Sequence, residues 1–226
     1  MSVSVILACG GSSTRLGFDK LMFELEGTPV FIRSIRNYEE IDDAYEIVIA
    51  APFDSIYEYD NIIKKHDIKK PVKIVAGGKN RTESVIEAFK NCNKSTRLIA
   101  VSDGARPFTN PDCIRDCIKN ARIFGASILG VPVKDTIKIT DDDFIVDTPD
   151  RRKLFAVQTP QIFTREIFVK SVQFALDHEL EFTDDASMAE AVGVKVHITK
   201  SNGMNIKITT PEDIIIAKAF AREKDV

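Results

Sequence analysis

Four short segments hold residue types that bind phosphate and metal ions. The first runs Ala8-Cys9-Gly10-Gly11-Ser12-Ser13-Thr14-Arg15-Leu16-Gly17-Phe18-Asp19-Lys20. Its glycines and serines let backbone N–H groups approach phosphate oxygens closely. Arg15 adds a fixed planar cation, and Lys20 a mobile one. The spacing matches neither G-x-x-x-x-G-K-S/T nor G-x-G-x-x-G, so neither a Walker loop nor a dinucleotide fingerprint is present. The second segment, Gly77-Gly78-Lys79-Asn80-Arg81-Thr82-Glu83-Ser84-Val85, offers close backbone approach at its glycines and a hydroxyl at Ser84. It also reads as a plain turn followed by a helix cap. In the third, Ser102-Asp103-Gly104-Ala105-Arg106-Pro107, Asp103 could hold a metal ion or a sugar hydroxyl, or simply pair with Arg106. In the fourth, Asn205-Ile206-Lys207-Ile208-Thr209-Thr210, Lys207 stands between apolar residues. It suits a phosphate, or it snorkels to the surface.

Strand-like runs must present these segments. Residues 3–8, 46–51, 72–76, 98–101 and 127–131 are apolar on both faces, as strands of a mostly parallel sheet covered by helices are. Helical spacing appears between them: Val30, Ile32 and Ile35 behind Pro29 in the first helical position, then residues 55–67, 82–92 and 111–124. A last helix starts after Thr210, with Pro211 in its first turn and Asp213 at its third position, a capping arrangement. Alternation of strand and helix through about residue 130 predicts an α/β fold with a doubly wound, Rossmann-like sheet. Ligands of such sheets bind beyond the carboxyl ends of the strands, where the four segments fall. Residues 134–159 break the rhythm. Thr136-Ile137-Lys138-Ile139-Thr140, a polar turn at residues 141–143 and Phe144-Ile145-Val146 predict a hairpin arm projecting from the sheet. Its exposed edge needs a cover, for which a second subunit is expected.

Bulk properties narrow the classes. At 226 residues and 44% hydrophobic, the chain can bury a core as one domain spanning 1–226. A net charge of −3 offers no broad basic surface for nucleic acid. Residues 1–13 lack the charged start and long apolar run of an export signal, and no stretch reaches the roughly 20 apolar residues of a membrane span. A cytoplasmic protein is expected. Cys9, Cys92, Cys113 and Cys117 form no C-x-x-C pair. Cys113 and Cys117 have helical ligand spacing, but no second pair completes a zinc site, so reduced structural thiols are expected.

Together the segments resemble one family. The loop Gly10-Gly11-Ser12-Ser13-Thr14-Arg15-Leu16-Gly17 with Lys20 is similar to the CTP-binding loop of sugar-phosphate nucleotidyltransferases, and specifically to the 2-C-methyl-D-erythritol 4-phosphate cytidylyltransferase family. The resemblance runs nearly end to end. It continues through Gly77 to Val85, Asp103 to Pro107, Pro132-Val133-Lys134-Asp135-Thr136-Ile137-Lys138, Gln158-Thr159-Pro160-Gln161-Ile162-Phe163, Thr183-Asp184-Asp185-Ala186-Ser187, Asn205-Ile206-Lys207 and Thr210-Pro211-Glu212-Asp213. Two segments depart from it. Asp19 and Leu21 flank the loop lysine where the family usually has proline and often glutamine. Ser102-Asp103-Gly104-Ala105 stands for the usual His-Asp-Ala-Ala.

The resemblance implies transfer of CMP from CTP to the acceptor phosphate with release of pyrophosphate. A phosphate monoester, with a second pKa of about 6, needs no general base. Arg15, Lys20, Asp103 and Lys207 are the implied catalytic residues. Ala8, Cys9, Gly10, Gly11, Gly77, Gly78, Arg81, Ser84, Asp103 and Ala105 are implied to bind the nucleotide. Thr136, Arg151, Thr159, Arg106, Thr183 and Lys207 are implied to bind the acceptor, with Thr136 and Arg151 carried by the arm into a neighbouring subunit's site. Mg²⁺ is expected mainly on the CTP phosphates, with Asp103 as a candidate ligand. A homodimer is expected through the arm. Alternatives are a ribitol 5-phosphate cytidylyltransferase, which shares loop and arm, and a non-catalytic nucleotide-binding module. The latter should have lost the site's charges, which are all retained.

Overall fold

The computed structural model describes residues 2–10 and 19–224. Among them the chain forms eleven strands and seven α-helices: β1 (Val3–Ala8), β2 (Glu24–Leu25), β3 (Thr28–Pro29), α1 (Val30–Arg36), β4 (Ala44–Ala51), α2 (Ile56–Lys65), β5 (Val72–Ala76), α3 (Arg81–Lys90), β6 (Leu98–Asp103), α4 (Pro111–Phe124), β7 (Ala126–Pro132), β8 (Ile139–Asp141), β9 (Phe144–Asp147), β10 (Phe155–Thr164), α5 (Arg165–Asp177), α6 (Asp185–Ala191), β11 (His197–Lys200) and α7 (Pro211–Lys224). Seven strands build one sheet in the order β11-β7-β10-β6-β1-β4-β5. β1 pairs in parallel with β4 and β6, and β4 with β5. β10 runs antiparallel to both of its neighbours, β6 and β7.

The period-2 alternation of strand side chains explains the layers. On β1, Val5 and Leu7 enter a core with Phe31, Ile49, Ile114 and Ile118, built against α1 and α4. Ile6 points the other way, into a core with Val48 of β4, Val101 of β6, and Val85, Phe168 and Met188 from α3, α5 and α6. Of the runs apolar on both faces, those of β1, β4, β6 and β7 are inner strands with helices on each side, as the sequence pattern implies, whereas β5 is an edge strand with no fully buried residue.

Local chemistry sets the helix starts. Asn80 accepts the Glu83 N–H at 2.8 Å to begin α3. Asn110 accepts the Asp112 N–H at 2.7 Å ahead of Pro111. At α7 the expected cap is reciprocal: Thr210 Oγ1 accepts the Asp213 N–H at 3.4 Å, and Asp213 Oδ2 accepts the Thr209 and Thr210 N–H groups at 2.7 and 2.8 Å. Pro29 precedes the first helical residue of α1 instead of occupying it.

Two findings correct the sequence reading beyond residue 130. The hairpin is shorter than the alternation implies. Only β8 and β9 pair, and Thr136, Ile137 and Lys138 lie outside strands. Asp142 and Asp143 form a two-residue turn with φ of 42° and 66°, the left-handed pair that matches hairpin twist. Residues 155–159, expected in the arm, belong to β10 and so to the middle of the sheet. Phe144, Ile145 and Val146 remain exposed, Phe144 at 78%. Among the described residues no helix is long and apolar enough to cross a membrane.

Candidate active site

The carboxyl ends of β1, β5 and β6 meet at one cleft of about 290 Å³, lined by Ala8, Gly10, Lys20, Lys79, Arg81, Ser84, Asp103, Ala105 and Lys207 among others. Ser84 ties its floor together. Its hydroxyl donates to the Asn80 carbonyl at 2.7 Å and accepts the Gly78 N–H at 3.1 Å. A Cβ at Gly77 would lie 2.8 Å from Ser84 Oγ, so the hydroxyl can pack against this backbone only because residue 77 is glycine. Cys9 is buried beside the cleft and contributes no lining atom to it. Gly11 and Arg15 lie outside the described residues.

A second cleft of about 250 Å³ adjoins the first. It is lined by Arg81, Asp103, Arg106, Val157, Gln158, Thr159, Gln161, Thr183, Asp184 and Lys207. Arg81, Asp103 and Lys207 belong to both clefts and form their common wall. Asp103, the last residue of β6, is almost completely buried. Its Oδ2 lies 3.1 Å from Arg106 Nε and 3.1 Å from Lys207 Nζ, and its Oδ1 3.8 Å from Arg81 Nε. Burial alone would raise its carboxyl pKa, but Lys207, Arg106 and Arg81 outweigh that and hold it below the ordinary value. The carboxylate stays ionised and fixes three cations around itself.

Backbone and buried amides hold this wall in place. Asp103 N–H donates to Thr159 Oγ1 at 3.0 Å. Asn205, fully buried, donates to Gln158 Oε1 at 3.1 Å and to the Thr159 carbonyl at 3.0 Å, and accepts from Thr109 Oγ1 at 2.9 Å. Ile208 N–H reaches the Ala105 carbonyl at 3.0 Å, so the segment carrying Lys207 is stitched to the turn after β6. Arg106 is also committed, through Nη1 to the Asn205 carbonyl at 2.8 Å. Its guanidinium borders the second cleft with Nε and Nη1 already bonded.

Of the residues expected to bind the acceptor, Arg106, Thr159, Thr183 and Lys207 come together here. Thr136 and Arg151 do not. They lie on the arm, where Arg151 Nη1 donates to the Lys134 carbonyl at 2.9 Å, away from both clefts of their own chain. Sequence reasoning gave no role to Gln158, Gln161, Asp184, Asp185 or Asn205. The bonds that place them in the wall span 23 to 104 residues, and no local pattern shows such pairings. As expected of structural thiols, Cys92 and Cys117 are buried, and burial pushes each up to about 12.

Two small clefts with a shared cationic wall, at the strand ends of a doubly wound sheet, can hold two phosphorylated reactants side by side. This is the design of an α/β nucleotidyltransferase. The family model for 2-C-methyl-D-erythritol 4-phosphate cytidylyltransferase matches residues 2–223. The enzyme of that name from Caldanaerobacter subterraneus subsp. tengcongensis is 41% identical over 99% of this chain and 100% of its own. That of Clostridium novyi is 40% identical over 95% and 94%. The crystal structure of the 4-diphosphocytidyl-2C-methyl-D-erythritol synthase of Anaerococcus prevotii superposes with a TM-score of 0.87 at 29% identity, covering 98% of this chain and 96% of that one. The chain belongs to the 2-C-methyl-D-erythritol 4-phosphate cytidylyltransferase family.

Proposed function

We propose that the chain transfers CMP from CTP to the phosphate of 2-C-methyl-D-erythritol 4-phosphate, a step of non-mevalonate isoprenoid biosynthesis. The observation that carries this reading is the wall of Arg81, Asp103 and Lys207 common to the two clefts. A dianionic acceptor phosphate in one cleft would face the α-phosphorus of a nucleotide in the other. An acceptor oxygen attacks that phosphorus, the bond from the α-phosphorus to the β-phosphate oxygen breaks, and pyrophosphate leaves. No proton has to be removed first. What the protein supplies is position and fixed charge. Lys20, with Arg15, holds the triphosphate and offsets charge on the leaving group. Ala8, Gly10, Ser84 and Ala105 line the nucleoside pocket, with Gly11, Gly77 and Gly78 lending it close backbone approach and Cys9 packed behind it; a tight floor favours a pyrimidine. Lys207, Thr159 and Thr183 receive the acceptor.

The donor chemistry at Asp103 bears on where Mg²⁺ would sit. Asp103 is a hard oxygen donor of the kind Mg²⁺ accepts, but three cations already compensate its charge. Among the described residues no group of three or more acidic, His or Cys side chains could cage an ion. We therefore assign Mg²⁺ to the CTP phosphates and Asp103 to the organisation of the cations. Bound there, the metal would lower the charge on the triphosphate oxygens.

The proposal includes one domain over 1–226, a cytoplasmic location where CTP is supplied, and a homodimer. Exposed Phe144, Ile145 and Val146 on β9 support burial of the arm against a second copy, which would bring Thr136 and Arg151 to the partner's second cleft. The direct test is pyrophosphate release with CTP and Mg²⁺, run in parallel with methylerythritol phosphate and ribitol 5-phosphate. Release with the first acceptor is expected. Release with ribitol 5-phosphate alone would move the chain to another pathway. Silence with both, in folded protein that binds CTP, would refute the catalytic reading.

A further inference from the structure

Arg81 and Asp185 each begin a helix, α3 and α6 respectively, and the two helix starts face each other across the wall between the clefts. Asp184 caps α6 by accepting the Ser187 N–H at 2.9 Å. Asp185 is therefore not needed as a cap. It turns inward, is buried, and accepts from Arg81 Nη2 at 2.6 Å. Arg81 Nε lies 3.8 Å from Asp103 on its other side, so the guanidinium spans two carboxylates.

Neither placement is explained by stability. A cation in the first turn of a helix opposes the helix dipole. A buried ion pair generally stabilises no better than apolar residues of the same volume, because desolvation offsets the attraction. The surroundings nevertheless hold this pair tightly. The residues flanking Arg81 reach the same segment: Asn80 Nδ2 donates to Glu181 Oε1 at 2.7 Å, and Thr82 Oγ1 accepts the Phe182 N–H at 3.2 Å. Gln161 of β10, two residues from Thr159, donates to Asp184 Oδ2 at 2.9 Å and accepts the Ala186 N–H at 2.8 Å. The start of α3, on the nucleotide side, is thus clasped to the segment that carries Thr183 on the acceptor side.

We propose that Asp185 is a positioning residue for the transfer reaction: it fixes the Arg81 guanidinium in the wall between the clefts, pointing its charge at the phosphoryl group in transfer. This rests on the function proposed above. With Nη2 held by Asp185 and Nε beside Asp103, the guanidinium is fixed between two carboxylates, and the charge presented to both clefts stays in one place. A planar fork is needed for that; a lysine at position 81 would supply charge without direction.

The test is a kinetic cycle on the full-length protein, comparing Asp185→Asn, Arg81→Met, the double variant and Arg81→Lys with wild type. Turnover, KM for CTP and for acceptor, and melting temperature are measured for each. Asp185→Asn should lower kcat by about 10- to 100-fold, the scale of a misplacement of order 1 Å, with less than about threefold change in KM for CTP. In the Arg81→Met background the same substitution should change kcat by less than about twofold, because the group it positions is gone. Arg81→Lys, which disturbs folding least, should lose kcat while melting near wild type. An unchanged kcat in Asp185→Asn or Arg81→Lys overturns the proposal. So does an equal fall in both backgrounds, which would mean that Asp185 only supports α6. Inactive wild type overturns the functional reading along with this one, whereas active wild type with an indifferent Asp185→Asn overturns this one alone.

Discussion

Replacing Gly104 with alanine places a methyl group where the chain has no room. A Cβ there would lie 2.5 Å from Cys9 Sγ and 3.3 Å from the Ala8 carbonyl oxygen, where ordinary contact begins at 3.4 Å. Cys9 is buried, its thiol pushed well up by burial and by the Asp19 charge, and a single χ angle gives its sulfur little freedom to withdraw. The Ala8 oxygen cannot move far, since it accepts the Gly104 N–H at 3.0 Å. Overpacking of this kind costs about 1–3 kcal/mol. In a chain of this size that lowers the melting temperature by roughly 2–12 °C. Removing the sulfur should relieve it. Cys9→Ala alone loses a little packing, on the order of 1 kcal/mol, while Cys9→Ala/Gly104→Ala should melt well above Gly104→Ala. The four proteins form a cycle whose coupling should fall at about 0.5–3 kcal/mol, the range for side chains in contact. Gly104→Ala melting with wild type, or strictly additive effects, would refute the reasoning. If it holds, the sulfur of Cys9 explains why glycine stands where the family usually has alanine.

Two further outcomes follow from the structure. If Arg151 serves the partner's cleft and Lys20 its own, inactive Arg151→Ala and Lys20→Ala proteins should complement when mixed under conditions of subunit exchange, reaching about a quarter of wild-type activity because half the dimers are mixed and each has one intact site; no recovery in demonstrated heterodimers would place both residues in the same subunit's site. At Glu46, burial would raise the carboxyl, but bonds from Lys73, the Asn93 backbone and Ser4 outweigh it and hold it below its ordinary 4.5. A lowered folded-state pKa adds stability that is present above the ordinary value and is lost as pH falls through the folded one. Glu46→Gln should therefore melt below wild type at pH 7, and the gap in thermal scans should narrow as pH drops below 4.5; a gap that holds constant with pH would show that the charge contributes nothing.

What could be read in the sequence was local. β1, β4 and β6 were legible because side chains such as Val5, Ile6 and Leu7 are apolar on alternate faces, a pattern each strand carries by itself. α4 was legible from helical spacing over 111–124, and α7 from Thr210 and Asp213, which act within three residues. β10 was not. It holds Gln158, Thr159, Pro160 and Gln161 in a row, and a proline amid polar residues argues against a central strand. The sheet accepts it through a register shift between Gln158 and Gln161 and through buried partners far along the chain: Asn205 for Gln158, Asp184 for Gln161, and the Asp103 backbone for Thr159. A strand whose polar groups are satisfied only by tertiary structure leaves no periodic trace.

The same distinction divides the site. Ser84 works within its own segment, as a cap does, and is visible there. Arg81 and Asp185 are 104 residues apart, and a run of two aspartates before a helix reads as a cap with a spare. The one available sign was Arg81 itself, a cation at the helix end where the dipole favours an anion. Such local misfits gather where charge is held for chemistry instead of stability. Here the misfit has a reason in the balance of the wall. Arg81, Arg106 and Lys207 would repel one another if left alone and would grip any polyanion, product included. On the proposed reading, Asp103 and Asp185 offset part of that charge, so a bound reactant would meet directed N–H groups more than net attraction. Binding that is directional favours the geometry in which charge is being transferred over the ground states on either side of it, which is what catalysis by electrostatics requires.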